Sequence, residues 1–328
     1  MYFMGLLLIV LVLLDLRLGS IRISFIEMLG HLFGQEKLSE QQWIILSKFR
    51  LPRLATALLA GAALPACGLQ MQTLFRNPLA GPYVLGISSG ASFGAALVVL
   101  GAGATGIAAT WSLAVAAWIG AATVMLLLLF VSYRIKDVMT ILILGIMFSS
   151  GLAAIISIMQ YFSQASALKS FVIWSMGSLG NVTGSQLLIM TWTITPVLLV
   201  TLAYSKVLNG LMLGEEYAAS MGIRIQRTRA IIFATTSIMA GTITAFCGPI
   251  GFIGIAVPHM ARFLFNRSDH RILMPATMLT GMLVLVISDI ISQLPGTERI
   301  LPINAVTSLI GIPVVIWLVV MNRKAQSI

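Results

Sequence analysis

Long apolar runs separated by short polar breaks dominate this chain, and within each run the apolar residues are continuous rather than alternating. Runs of roughly 15 to 25 residues match the length a helix needs to cross about 30 Å of hydrocarbon, whereas a membrane strand would show period-two alternation. A lipid-exposed backbone must also satisfy its hydrogen bonds within its own segment. The pattern predicts ten spans, at Tyr2–Leu16, Leu54–Leu69, Val84–Leu100, Ala108–Val131, Val138–Tyr161, Gln186–Tyr204, Ala230–Cys247, Gly251–Phe265, Leu273–Ser292 and Ile303–Met321. The expected fold is therefore an all-α polytopic membrane protein, with one transmembrane domain over residues 1–328 and no soluble domain. The first run has no basic region before it and no small-residue cleavage pattern before Asp15 and Arg17, so it reads as a retained span rather than a signal peptide.

Composition agrees, since 59% hydrophobic and 9% charged residues with a mean hydropathy of +1.01 do not fold around one soluble core. Cys67 and Cys247 fall inside spans, where they serve as small packing residues, and they offer neither metal spacing nor a disulfide framework. The 18 Met residues are scattered through the spans and read as packing.

The 20 Lys and Arg residues set the expected orientation. With both termini cytoplasmic, twelve lie in inside loops and eight outside. Six of the eight crowd into the first outside loop (Arg17, Arg22, Lys37, Lys48, Arg50 and Arg53), leaving Lys169 and Arg299 elsewhere outside. Later loops support the orientation, so the first loop is expected to have a use for cations. The net charge of +10 then divides between anionic membrane lipid and something acidic outside, and implies no nucleic-acid partner.

An internal echo runs at an offset of 180. Thr56, Ala60, Gly61, Cys67, Gly68 and Pro78 recur as Thr236, Ala240, Gly241, Cys247, Gly248 and Pro258. This relates the second span to the seventh, and a shift of five helices reverses direction across the bilayer, giving an inverted repeat. Gly86, Gly90 and Gly94 are spaced four apart on the third span and are expected to form a helix-packing seam. Pro249, Pro258 and nearby glycines interrupt the seventh and eighth spans; Asn77, Pro78, Gly81 and Pro82 interrupt the junction of the second and third. Both a kink and a gate fit such breaks, whose freed backbone groups must face protein or a watery cavity.

Ionisable groups at membrane depth are few. Asp289 and His259 are the candidates, and both read as satisfied structural groups rather than a proton path. No Walker motif is present, so ATP is not hydrolysed by that route here. The longest inside loop carries a short helix that starts at Gly214 with Glu215 and Glu216 in its first turn and ends at Gly222. Leu211, Leu213, Tyr217 and Met221 make the unit amphipathic, which suits either the bilayer surface or a cytosolic partner.

Together these pieces resemble the FecCD family of ABC-importer permeases. The motifs that carry the resemblance are Arg50-Leu-Pro-Arg53, Arg76-Asn-Pro-Leu-Ala80, Leu85-Gly-Ile-Ser-Ser-Gly-Ala91, Trp174-Ser-Met-Gly-Ser178, Leu213-Gly-Glu-Glu216, Gly248-Pro-Ile-Gly-Phe-Ile-Gly254, Pro258-His-Met-Ala-Arg262 and Leu301-Pro-Ile-Asn304. The resemblance implies a type II importer permease in the bacterial inner membrane, working as a homodimer. Two separate ATP-binding subunits would carry ATP and Mg, no cofactor would bind this chain, and an extracytoplasmic binding protein would deliver substrate. It implies that Arg50 and Arg53 face outward to acids on the binding protein. Leu213, Gly214, Glu215, Glu216, Tyr217, Met221 and Gly222 would form the ATPase coupling loop, and Asn77, Pro78 and Leu79 the cytoplasmic gate. Relatives often carry an Arg where this chain has Gln293, with Arg299 as a substitute docking cation. The implied cargo is an iron chelate, either a ferric siderophore or haem, with cobalamin as the alternative and an ion-coupled carrier or a structural scaffold as other classes.

Overall fold

The computed structural model describes residues 1–18, 30, 38–101, 107–135, 137–293 and 300–326, with the backbone alone for 107–110 and 318–326. Each of the ten apolar runs finds a helix. These are α1 (Tyr2–Arg17), α3 (Leu51–Leu74), α4 (Ile87–Ala96, prolonged by a wide π turn, Leu97–Gly101), α5 (Ile107–Arg134), α6 (Val138–Phe162), α8 (Gly184–Ala203), α11 (Ile225–Cys247), α12 (Ile253–Phe265), α13 (His270–Ser292) and α14 (Ile303–Gln326). Shorter helices lie between them: α2 (Glu40–Ile45), which runs through a π turn at Leu46–Arg50 into α3, α7 (Ala165–Ser175), α9 (Ser205–Met212) and α10 (Glu215–Ser220).

Helix starts are set by local chemistry. Asp137 accepts from the Met139 and Thr140 amides at the head of α6, and Thr183 and Gln186 cap α8 reciprocally. Inside, small residues decide which helices come together. Gly61 lies against Gly281 so closely that a Cβ would meet the Gly281 carbonyl oxygen at 2.7 Å, locking α3 to α13. One on Gly68 would lie 1.6 Å from the Gly254 oxygen, locking α3 to α12. Of the most apolar window of α3, 83% is buried, against 17% for α6, so α3 belongs to the core and α6 to the perimeter.

The repeat shows as an exchange of partners. α4 packs on α5 and α12 on α13, while α3 packs on α13 and α11 on α5. Gly61 faces Gly281 in one half, and Gly241 faces Ala121 in the other.

Two expectations are corrected. Gly86 is not part of the glycine seam: it precedes α4 in a left-handed conformation (φ +79°) and faces Ser149 and Gly145 of α6. The seam on α5 is Gly90 and Gly94 against Gly120 and Ala116, where added Cβ atoms would come within 2.5 Å and 2.0 Å of main-chain oxygens. Nor does Pro258 break its span. It lies inside α12, past the first turn, and its missing amide frees the Gly254 carbonyl that Gly68 approaches. The real break between α11 and α12 is Gly248–Phe252, where Gly248 and Phe252 both have positive φ (73° and 64°).

Candidate functional site

Three of the motifs, together with Tyr83, meet at the break between α11 and α12. The Cys247 carbonyl accepts from the Ser178 amide at 2.7 Å, the Gly251 amide donates to Asn304 Oδ1 at 2.9 Å, and the Ile250 amide donates to the Tyr83 hydroxyl at 3.1 Å. The Asn304 amide in turn donates to the Met176 carbonyl at 3.3 Å. The unwound backbone is thus satisfied by α7, α14 and the segment before α4, as irregular chain at membrane depth requires.

At the opposite end α3 terminates in Arg76–Leu79. The Asn77 side chain accepts from the Leu79 amide at 2.9 Å, forming a tight turn, and the Asn77 amide donates to the Gln72 carbonyl at 3.2 Å. This turn leaves Leu79 47% exposed. It is fastened to α12, because His259 Nε2 lies 2.7 Å from the Pro78 carbonyl and Arg262 donates to Gln72 Oε1 at 2.8 Å. His259 therefore holds the turn, and Pro78 supplies the carbonyl it holds.

The α9–α10 loop lies at the same end. The Gly214 amide closes on the Leu211 carbonyl at 3.0 Å, and Gly214 itself adopts φ +109°, which favours glycine. Gly222 (φ +84°) ends α10, and the Ile223 amide returns to the Ala218 carbonyl at 3.0 Å. Leu211 and Ala218 point inward and are buried, whereas Leu213, Tyr217 and Met221 stand outward, 62%, 54% and 59% exposed. The two acids part company. Glu215 pairs bidentately with Arg229 of α11, a guanidinium with a side chain only 3% exposed, while Glu216 is exposed. Beside the loop, Asn209 of α9 donates to Asp269 at 2.6 Å, and this bond with the Arg271 amide holds the Asp269 carboxyl below its ordinary range.

The cations at the other end are placed differently from the expectation. Arg50 is buried, and its Nη1 donates to the Leu16 carbonyl at 2.6 Å, so it satisfies the open C-terminal carbonyls of α1 rather than pointing outward. Arg53 pairs with Asp289 of α13 at 2.8 Å, with 15% of its side chain exposed and 1% of the aspartate's. Gln293 Nε2 bridges Asp289 Oδ2 at 3.1 Å and Asp15 Oδ1 at 3.0 Å, tying in α1. An acid within reach claimed Arg53, and sequence spacing did not show it. Arg17 and Lys48 are exposed at this end. Arg299, Arg22, Lys37 and Lys136 lie outside the described residues.

The FecCD transport family model matches residues 7–321. The vitamin B12 import system permease protein BtuC of Klebsiella pneumoniae is 38% identical over 289 residues, covering 88% of this chain and 86% of that protein. The hemin transport system permease protein HmuU of Yersinia pestis is 33% identical over 326 residues, covering 99% and 97%. Among solved structures, an inward-facing metal-chelate type ABC transporter superposes with a TM-score of 0.87 at 27% identity, covering 98% of each chain. With a break, a fastened turn and a capped loop on one helical frame, and a family match over nearly its whole length, this chain is a multi-pass membrane permease that belongs to the FecCD transport family.

Proposed function

We propose that this chain moves a bulky metal chelate of the tetrapyrrole class inward across the bacterial inner membrane, as the permease half of an ATP-driven importer. The loop carries the reading. Leu213, Tyr217 and Met221 form an exposed apolar surface beside Glu216, set on a frame that the Glu215–Arg229 pair and two positive-φ glycines make rigid. Such a surface suits a groove on a separate ATP-binding subunit, with Glu216 giving charge complementarity. The loop end is then cytoplasmic, with both termini inside, and Arg76–Leu79 is the gate.

The perimeter helix α6, apolar and mostly uncovered, supports a homodimer with the pathway between two copies. At the outer end, Arg17 and Lys48 are the exposed cations toward an acidic binding protein, with Arg53 acting from its pair with Asp289. Tetrapyrrole cargo is favoured over a ferric siderophore because the relatives named above are permeases for vitamin B12 and hemin, both metal-bearing tetrapyrroles. An ion-coupled carrier draws less support, since Asp289 is committed to Arg53 and His259 to Pro78.

Extraction of the tagged chain from its host in mild detergent tests the reading. An ATP-binding subunit is expected to co-purify, and ATP hydrolysis in vesicles should drive uptake of cyanocobalamin or haemin when the binding protein is present. Glu216→Arg should abolish co-purification without unfolding the chain. Solute movement by the chain alone down an ion gradient would sink the proposal.

A further inference from the structure

The structure joins the loop and the gate turn through one buried side chain that neither motif contains. His270, the first residue of α13, is fully buried and uses both ring nitrogens. Its Nδ1 lies 2.8 Å from Asn209 Oδ1 on α9, and its Nε2 lies 2.8 Å from the Thr73 hydroxyl in the last turn of α3. Its own amide also donates to Asn209 Oδ1 at 2.8 Å.

The direction of each bond is determined. The Asp269 carboxylate only accepts, so the Asn209 amide nitrogen must face it, leaving Asn209 Oδ1 as the acceptor toward His270. Nδ1 therefore carries a proton. In the neutral ring Nε2 is then an acceptor, and the Thr73 hydroxyl supplies the hydrogen. The Leu69 carbonyl, 2.8 Å from the same hydroxyl, is a helix-interior group that already receives a main-chain bond, so it loses little by this arrangement. A chain of hydrogen bonds thus runs Thr73 to His270 to Asn209 to Asp269.

Its two ends matter. Asn209 precedes Gly210, whose carbonyl anchors the Leu213 amide at 3.2 Å at the start of the loop. Thr73 carries the carbonyl that anchors the Arg76 amide at 3.4 Å, and its neighbour Gln72 anchors Asn77. Apolar contact between α9 and α3, made by buried Leu208 and Leu211, is non-directional and lets one helix slide on the other. Directional bonds in a paired network whose Thr73 and His270 members are buried fix their register.

We propose that His270, with Asn209 and Thr73, is the joint through which displacement of the α9–α10 loop moves the Arg76–Leu79 turn. These three are positioning residues and need touch neither ATP nor cargo. The proposal rests on the reading of the loop as the ATPase dock and of the turn as the gate.

The test uses the complex of this chain with its ATP-binding subunit in vesicles. Leu79→Cys is labelled with N-ethylmaleimide, nucleotide-free and after trapping with ATP and vanadate, while buried Cys67 and Cys247 give little background. Labelling should differ about tenfold between the two states with Thr73 or Thr73→Ser, and by less than about twofold with Thr73→Val or His270→Phe. Thr73→Val keeps the shape and removes only the hydroxyl, so it answers even where His270→Phe fails to fold. A nucleotide-dependent difference that persists in Thr73→Val overturns the joint. Equal labelling in the parent Leu79→Cys complex would instead remove the gate assignment, and failure of any complex to form would remove the importer reading; either loss takes the joint with it.

Discussion

Glu215→Gln isolates what one loop carboxylate does inside the chain. The substitution keeps the side-chain length and removes the charge that faces Arg229, whose side chain is 3% exposed while that of Glu215 is 29% exposed. Breaking a fully buried pair costs about 3–5 kcal/mol because the stranded charge has lost its water. Exposure of the Glu215 carboxylate and the hydrogen bond an amide can still make lower this to about 2–3 kcal/mol. The Ala218 and Ile223 amides, bonded to the Gly214 and Ala218 carbonyls at 2.9 Å and 3.0 Å, report on loop opening. Hydrogen exchange at these amides should therefore accelerate about 30- to 140-fold in Glu215→Gln. Glu216→Gln, at an exposed position, should leave their exchange unchanged. Unchanged exchange in Glu215→Gln, or equal acceleration in both variants, would refute the assignment of Glu215 to loop rigidity.

Gly68→Ala places a methyl against main-chain atoms of Gly254 that cannot rotate away, so α3 and α12 must separate at a cost of about 1–3 kcal/mol or more. Thermal unfolding in detergent should show the loss, and Gly151→Ala, with nothing within 4 Å, should not. Arg53→Met should destabilise by about 3–5 kcal/mol by stranding buried Asp289, and adding Asp289→Leu should recover part of that loss in the same assay. The Asp269 carboxyl titrates below its ordinary 3.8 in the folded chain, so its capping contribution is fully present above that value and is lost as pH falls through the lower native one. Protection of the Arg271 amide relative to its intrinsic exchange rate at each pH should thus be steady from neutrality down to about pH 4 and fall only below it, and a fall near pH 6 would contradict the Asn209 contact.

Every apolar run was legible because burying or lipid-exposing a helix demands long stretches of hydrocarbon, and a run shows that without reference to its neighbours. The start and end of the short loop helix at Gly214 and Gly222 were equally legible, and both glycines prove to hold positive φ, a backbone conformation that favours that residue type. Spacing misled at Gly86, where a four-residue interval suggested a helix face and the chain instead turns before the helix. It also passed over Gly120, because Ala114, Ala116, Ala117, Ala121 and Ala122 surround it and no one small residue stands out in that span. His270, Asn209 and Thr73 gave no such signal, because a buried His reads the same as an exposed one until its partners are known.

Run length and hydropathy alone decided that this protein is a helical membrane domain built on ten apolar helices, since lipid selects for segments one at a time. Tertiary structure decided the assignments of charge. Arg53 finds Asp289 across 236 residues, Arg50 finds the end of α1, and Glu215 is taken inward while Glu216 is left outside. A hydrogen bond depends on ångströms and angles, which helix packing sets, whereas hydrophobic partition depends on area, which each segment carries in its own composition.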